Sequence, residues 1–192
     1  MTYDLKNVFY LDTKATIAAT TAGATTAQLD LSAYIDPIAR GRTKGTGLAV
    51  YKIHWSVSPS STNGEAMQIA EAGVFRAGLV AGAGLGDNAT GVVVPTGSQQ
   101  PGFTNALAVS GFDYYGPAST AANASTPGGM FYHRYVDPSE KVPYVIVRDN
   151  VCLVVEQQVN MTAAATVGCR LEVAQVTLDQ ATLNQLLRTQ TV

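Results

Sequence analysis

Charge is scarce in this sequence. Twelve Lys+Arg and 14 Asp+Glu make up 14% of its 192 residues, against roughly 25% in an ordinary soluble domain. The formal net charge is −2, and the basic residues are dispersed, which excludes a protein that coats nucleic acid through clustered Lys and Arg. Histidine is limited to His54 and His133, too few for a multi-histidine zinc or iron centre, and no H-x-H or H-x-x-x-E spacing accompanies either. Long apolar runs are missing as well. The best, Ala77 to Leu85, is short and broken by glycine, well under the roughly 18–20 residues of a membrane-spanning helix. Met1 to Val8 has neither the basic nor the apolar region of a signal peptide. The expectation is a soluble protein made in a cytoplasm.

Cysteine is limited to Cys152 and Cys169. Alternation of side chains along a strand puts Val151, Leu153 and Val155 on one face of the first segment and Val167, Cys169, Leu171 and Val173 on one face of the second. If those faces share a core, Cys169 points inward and Cys152 outward. A disulfide needs both on one side with close Cβ atoms, so free thiols are expected.

Small residues occupy the space that charge leaves. The chain holds 27 Ala, 21 Thr and 18 Gly. Surfaces of Ala, Thr, Ser and Gly lose little side-chain entropy on burial and suit contact between copies better than the charged surface of a dispersed monomer.

The dominant period is two. Asn7–Ala19, Thr26–Ser32 and Leu48–Ser58 read as strands, the last with Tyr51, Ile53, Trp55 and Val57 apolar against Lys52, His54, Ser56 and Ser58. Tyr34–Gly45 reads as a turn or short helix followed by loop. Met67–Ala81 is read as a long strand with a glycine bend, because Gly73 and Gly78 would each weaken a helix by about 1 kcal/mol. Val92–Val94, Ala106–Tyr115, Phe131–Val136, Val142–Arg148, Val151–Met161 and Val167–Leu178 complete the strands, the last two as a hairpin. Thr177–Thr189 is helical, with Asp179 as N-cap and Leu183, Leu186 and Leu187 on one face. The expected fold is all-β, a jelly roll or β-sandwich of about eight strands with a short C-terminal helix. One domain spans 1–192, with an N-terminal arm or strand over 1–25 and a C-terminal helix and tail over 179–192, its ends held in place.

No catalytic, cofactor-binding or metal-binding residue is assigned, and no cofactor is expected. Gly82-Ala83-Gly84-Leu85-Gly86 lacks the strand–turn–helix context of a dinucleotide fingerprint, and no Lys-Ser/Thr follows a glycine run. Glu156 and Glu172 are a candidate carboxylate pair on neighbouring strands, better read as surface charges paired with Arg170 or Arg148. Arg40, Arg42 and Lys44 form the basic cluster. Together with Phe9, Tyr10, Tyr114, Tyr115, Leu183, Leu186 and Leu187 they are the candidate assembly contacts. Tyrosine is enriched at protein interfaces, and the helical leucines form an apolar stripe.

This combination resembles the single-jelly-roll capsid proteins of icosahedral double-stranded DNA viruses of bacteria and archaea. The resemblance covers the whole chain as strand order and composition. It implies a self-assembling structural virion protein that forms capsomers. The partners it implies are copies of itself, other coat proteins and an internal membrane, with no sequence-specific nucleic acid binding and no enzymatic activity. Halophilic members are strongly acidic, which this chain is not. RNA-virus coats carry basic arms, whereas Met1–Ala19 holds only Lys6 and Lys14. The alternative is a phage decoration, spike or fibre head that binds a host glycan.

Overall fold

The computed structural model describes residues 7–17, 23–36, 44–59, 73–81, 107–116, 131–135, 137–157 and 164–190. Within them, nine strands and one helix follow in order. They are β1 (Phe9–Ile17), β2 (Gly23–Asp30), β3 (Lys44–Pro59), β4 (Gly73–Ala81), β5 (Ala108–Gly116), β6 (Phe131–Tyr135), β7 (Tyr144–Ile146), β8 (Asn150–Gln157), β9 (Ala165–Asp179) and α1 (Gln180–Thr189). One sheet has the order β1-β9-β3-β7 and the other β2-β8-β4-β5-β6, with all pairings antiparallel. The chain passes from one sheet to the other at β1–β2, β2–β3, β3–β4, β6–β7, β7–β8 and β8–β9. That alternation, with the last strands returning beside the first, is the winding of a double-sheet jelly roll.

The core lies between the sheets. From the first sheet come Ala15, Ile17, Leu48, Val50, Ile53, Ile146, Val167, Cys169, Leu171 and Val173; from the second, Ala77, Leu79, Phe112, Val151, Leu153 and Val155. The expected sharing of one core by Val151, Leu153, Val155, Leu171 and Val173 is thus met. Its supposed hairpin is not, because β8 and β9 belong to different sheets. Ile53 lies beside Leu171 in one sheet, as its strand partner, with β8 in the other sheet.

Strand β3 changes parity midway. Leu48 and Val50 are buried, and so is Ile53, because the register shifts between Val50 and Lys52 and Tyr51 takes up the extra residue. An unbroken alternation puts Tyr51 on the apolar face. The bulge instead leaves it half-buried, while Ile53, Trp55 and Val57 keep the inward side. The Trp55 indole N–H donates to Ser110 Oγ at 3.1 Å, and that hydroxyl donates to Asp137 Oδ1 at 3.2 Å. The ring meets Phe112 edge-on at 5.2 Å. This polar thread joins the sheets and satisfies an indole that burial would otherwise penalise.

Helix α1 seals one end of the first sheet. Asp179 is its N-cap, accepting from the Thr182 N–H at 2.7 Å. That bond, with the cationic Lys44 nearby as a smaller influence, holds the Asp179 carboxyl below its ordinary value of 3.8. A carboxyl depressed by folding stabilises fully above its unfolded pKa and ceases to as pH falls through the folded one. The melting-temperature gap between wild type and Asp179→Ala should therefore be open at pH 6 and narrow steadily below pH 3.8. An equal gap at pH 6 and pH 2 would show that the cap acts without its charge.

Leu183, on the helix's inner face, is buried against Gly45, where an added Cβ would lie 2.7 Å from Leu183 Cδ2 and 3.1 Å from the Asp36 carbonyl. Beyond the helix, Gln190 clasps β7. Its side-chain N–H donates to the Val145 carbonyl at 2.7 Å, and its Oε1 accepts from the Val147 N–H at 3.2 Å. Arg148 Nε donates to the Gln190 carbonyl at 2.9 Å. The amide thus pairs with β7 as another strand would.

Candidate assembly surface

The two sheets differ in what they show to the outside. On the second, Val80, Cys152, Val154 and Leu107 form a buried cluster of their own, so β8 is covered on both faces. This explains why its sequence runs apolar without interruption. On the first, the outer face is wet. Three strands contribute to it in transverse rows: Lys52, Glu172 and Tyr10; His54, Arg170 and Asp12; Ser56, Gly168 and Lys14; Ser58, Thr166 and Thr16.

These rows are laced by charge. Arg170 grips Asp12 with both ends of its fork, Nε to Oδ1 at 2.6 Å and Nη2 to Oδ2 at 3.1 Å, and its guanidinium stands 5.7 Å from the centre of the Tyr10 ring. The guanidinium lowers the Asp12 pKa, and Asp12 in turn raises that of Arg170. His54 Nε2 lies 2.7 Å from Glu172 Oε1. Thr16 and Thr166 share a hydroxyl bond at 3.2 Å. At Gly168 the face is notched, and a Cβ there would come within 2.8 Å of Ser56 Oγ. The notch opens a groove of about 570 Å³ bordered by Asp12, Lys14, His54, Ser56 and Arg170.

The His54–Glu172 pair carries no bonded nucleophile, since the Ser56 hydroxyl turns to the Gly168 carbonyl at 3.5 Å. Among the described residues no group of three His, Cys, Asp or Glu could hold a metal ion. The cysteines are free and buried, their thiols pushed up to about 11 and about 12 by burial. Cys169 sits in the main core and Cys152 in the cluster on the far side of the second sheet, the separation that strand parity implies.

The candidate contacts fall in three groups. Tyr10 and Lys44 are exposed, and Phe9, Leu186 and Leu187 are half-buried, with Phe9 packed on Tyr34 at 5.0 Å. Tyr114 and Leu183 are buried, so their side chains serve the interior of this chain. Arg40, Arg42 and the Tyr115 side chain lie outside the described residues, as do Val92–Val94 and the chain ends. Glu156 and Glu172 do not form a pair, since β8 and β9 lie in different sheets. Glu156 instead stands across from Arg76, whose guanidinium Nε lies 2.7 Å from Asp113 Oδ1. The Asp12–Arg170 and His54–Glu172 pairs escape a reading of the sequence. Their members are 158 and 118 residues apart, and parity alone does not say which strands are neighbours.

No family model and no curated protein matches this sequence. Among solved structures the chain is similar to VP1 of Trichodysplasia spinulosa-associated polyomavirus in complex with GM1 oligosaccharide. The TM-score is 0.45 and the identity 9%, over 93% of this chain and 96% of that one. New Jersey polyomavirus VP1 gives 0.42 and 5%, covering 90% and 99%. The unassembled VP1 pentamer of Merkel cell polyomavirus gives 0.40 and 6%, covering 93% and 98%. At such scores and identities the likeness carries nothing about function.

Proposed function

We propose that this chain is a structural virion protein, a jelly-roll capsid subunit whose copies associate into capsomers of an icosahedral shell. The observation that carries the reading is the pairing of a double-sheet jelly roll with a chain only 14% charged. The fold recurs in viral capsids, lectins and cupins. Cupin-type chemistry needs converging metal ligands, and among the described residues no group of three His, Cys, Asp or Glu could hold a metal ion. A chain rich in Ala, Thr and Gly can bring flat surfaces into close contact with little ordered side chain to immobilise. A closed shell multiplies many such weak contacts. Other coat proteins and an internal membrane are further partners on this reading.

Purified protein examined by size-exclusion chromatography with light scattering, and by negative-stain microscopy, should form capsomers, sheets or particles. A monodisperse 20.1 kDa monomer at high concentration would overturn the reading. A discrete trimer that binds glycans would replace it with a spike or fibre head.

A further inference from the structure

Among the described residues the exposed large hydrophobics are Val8 at 36%, Tyr10 at 60% and Val142 at 73%. Their placement is not random. Val8 and Tyr10 belong to β1 and its lead-in, and Val142 to the turn before β7. These strands are the two opposite edges of one sheet, about 14 Å apart across three strand spacings.

They also lie near one transverse row. Phe9 pairs with Val173, Val173 with Val50, and Val50 with Tyr144, so Phe9 and Tyr144 occupy a single transverse row. Tyr10 is one residue along β1 from that row. Val142 is two residues before Tyr144, in the same direction, since β7 runs antiparallel to β3 and β1 parallel to it. Both positions therefore lie within about two residues, roughly 7 Å at most, of that row.

We infer that the β1 edge of one subunit, at Val8 and Tyr10, receives the Ser139–Val142 turn of a second copy of this chain. The contact is heterologous and repeats around a closed ring. It rests on the capsid reading and specifies which surface joins neighbours. Opposite edges mean that the two halves of the contact differ, so each subunit offers one half to either neighbour. Positions near one transverse row let a neighbour be related by rotation with little rise, the condition for a ring rather than a filament.

Charge fits the same docking. The exposed Asp12 and Lys14 lie beyond Tyr10 in the direction of Ile17, and the exposed Glu140 and Lys141 precede Val142 in that same direction. Lys14 thus faces an acid, Glu140, while Asp12 is held by Arg170 of its own chain. The turn itself is preorganised: the Val142 N–H donates to the Ser139 carbonyl, and the Ser139 N–H to the Val142 carbonyl, both at 3.1 Å. Beyond it, Gln190 occupies the Val145 carbonyl and Val147 N–H, so the β7 side presents this turn rather than a backbone open to another strand.

Two single variants test the arrangement. Tyr10→Asp and Val142→Asp should each run as folded 20.1 kDa monomers where wild type is oligomeric, with circular dichroism and melting temperature close to wild type. Tyr10→Ser is the companion should the carboxylate beside Asp12 loosen β1. Mixed one to one, the variants should form a heterodimer of twice the monomer mass and nothing larger. The Val142 variant keeps its β1 edge, the Tyr10 variant keeps its turn, and only one productive contact remains. A Val142→Asp protein with wild-type mass, a mixture that stays monomeric, or a mixture that restores full oligomers would each overturn the inference. Wild-type protein that is itself monomeric would instead overturn the capsid reading beneath it.

Discussion

Leu153→Asp protein is expected to be insoluble or, if recovered, without a cooperative unfolding transition. Leu153 is fully buried at the centre of β8, within a cluster to which both sheets contribute. On its own sheet it pairs with Ala27 on one side and Leu79 on the other. Those neighbours offer no cation and no hydrogen-bond donor side chain. A carboxyl group placed there must stay neutral and unbonded or bring a charge into an apolar interior, at about 4 kcal/mol or more beyond the lost leucine packing. A whole domain is stable by only about 5–15 kcal/mol. Soluble Leu153→Asp protein with wild-type assembly and melting would show that position 153 does not lie in the interior.

Deleting Gln180–Val192 should have the second largest effect, and it should reach the fold as well as any assembly. From the sequence the helix reads as a peripheral contact element whose loss leaves the barrel intact. The structure gives it inward duties. Leu183 fills the space over Gly45, and Gln190 satisfies two backbone groups of β7 and accepts from Arg148. Losing a buried leucine costs about 2–5 kcal/mol, and each hydrogen bond about 1 kcal/mol. A loss of roughly 5–8 kcal/mol by denaturant titration is expected on those figures. Leu183→Ala alone should show about half of it. A truncated protein with an unchanged denaturation midpoint would mean that the helix rests on the sheet without supporting it.

Much of the fold is legible in the residues because period-two alternation is a local signal. Ile53, Trp55 and Val57 against Lys52, His54 and Ser56 announce a half-buried strand wherever its partners lie. Asp179, followed by leucines at helical spacing, announces a capped helix in the same way. Each depends on a few neighbouring side chains and the backbone geometry they favour. Composition is equally local in origin, and 14% charge points toward contact with copies before any strand is placed.

Strand partnership is the part that residues alone do not carry. Val151–Met161 and Val167–Leu178 look like the arms of a hairpin because they are adjacent in sequence, yet β8 pairs with β2 and β4, and β9 with β1 and β3. A local pattern says which side of a strand is apolar but not which of two facing sheets the strand joins; closing the whole sandwich decides that. The bulge at Tyr51 is settled in the same way, by β3 having to match both β9 and β7. So are the Asp12–Arg170 and His54–Glu172 pairs, and the transverse row that Phe9 and Tyr144 share at opposite edges. Alternation, capping and composition were properties of the sequence. The surfaces that one copy can offer another exist only once distant strands lie side by side, because register across a sheet is a relation between segments and belongs to none of them alone.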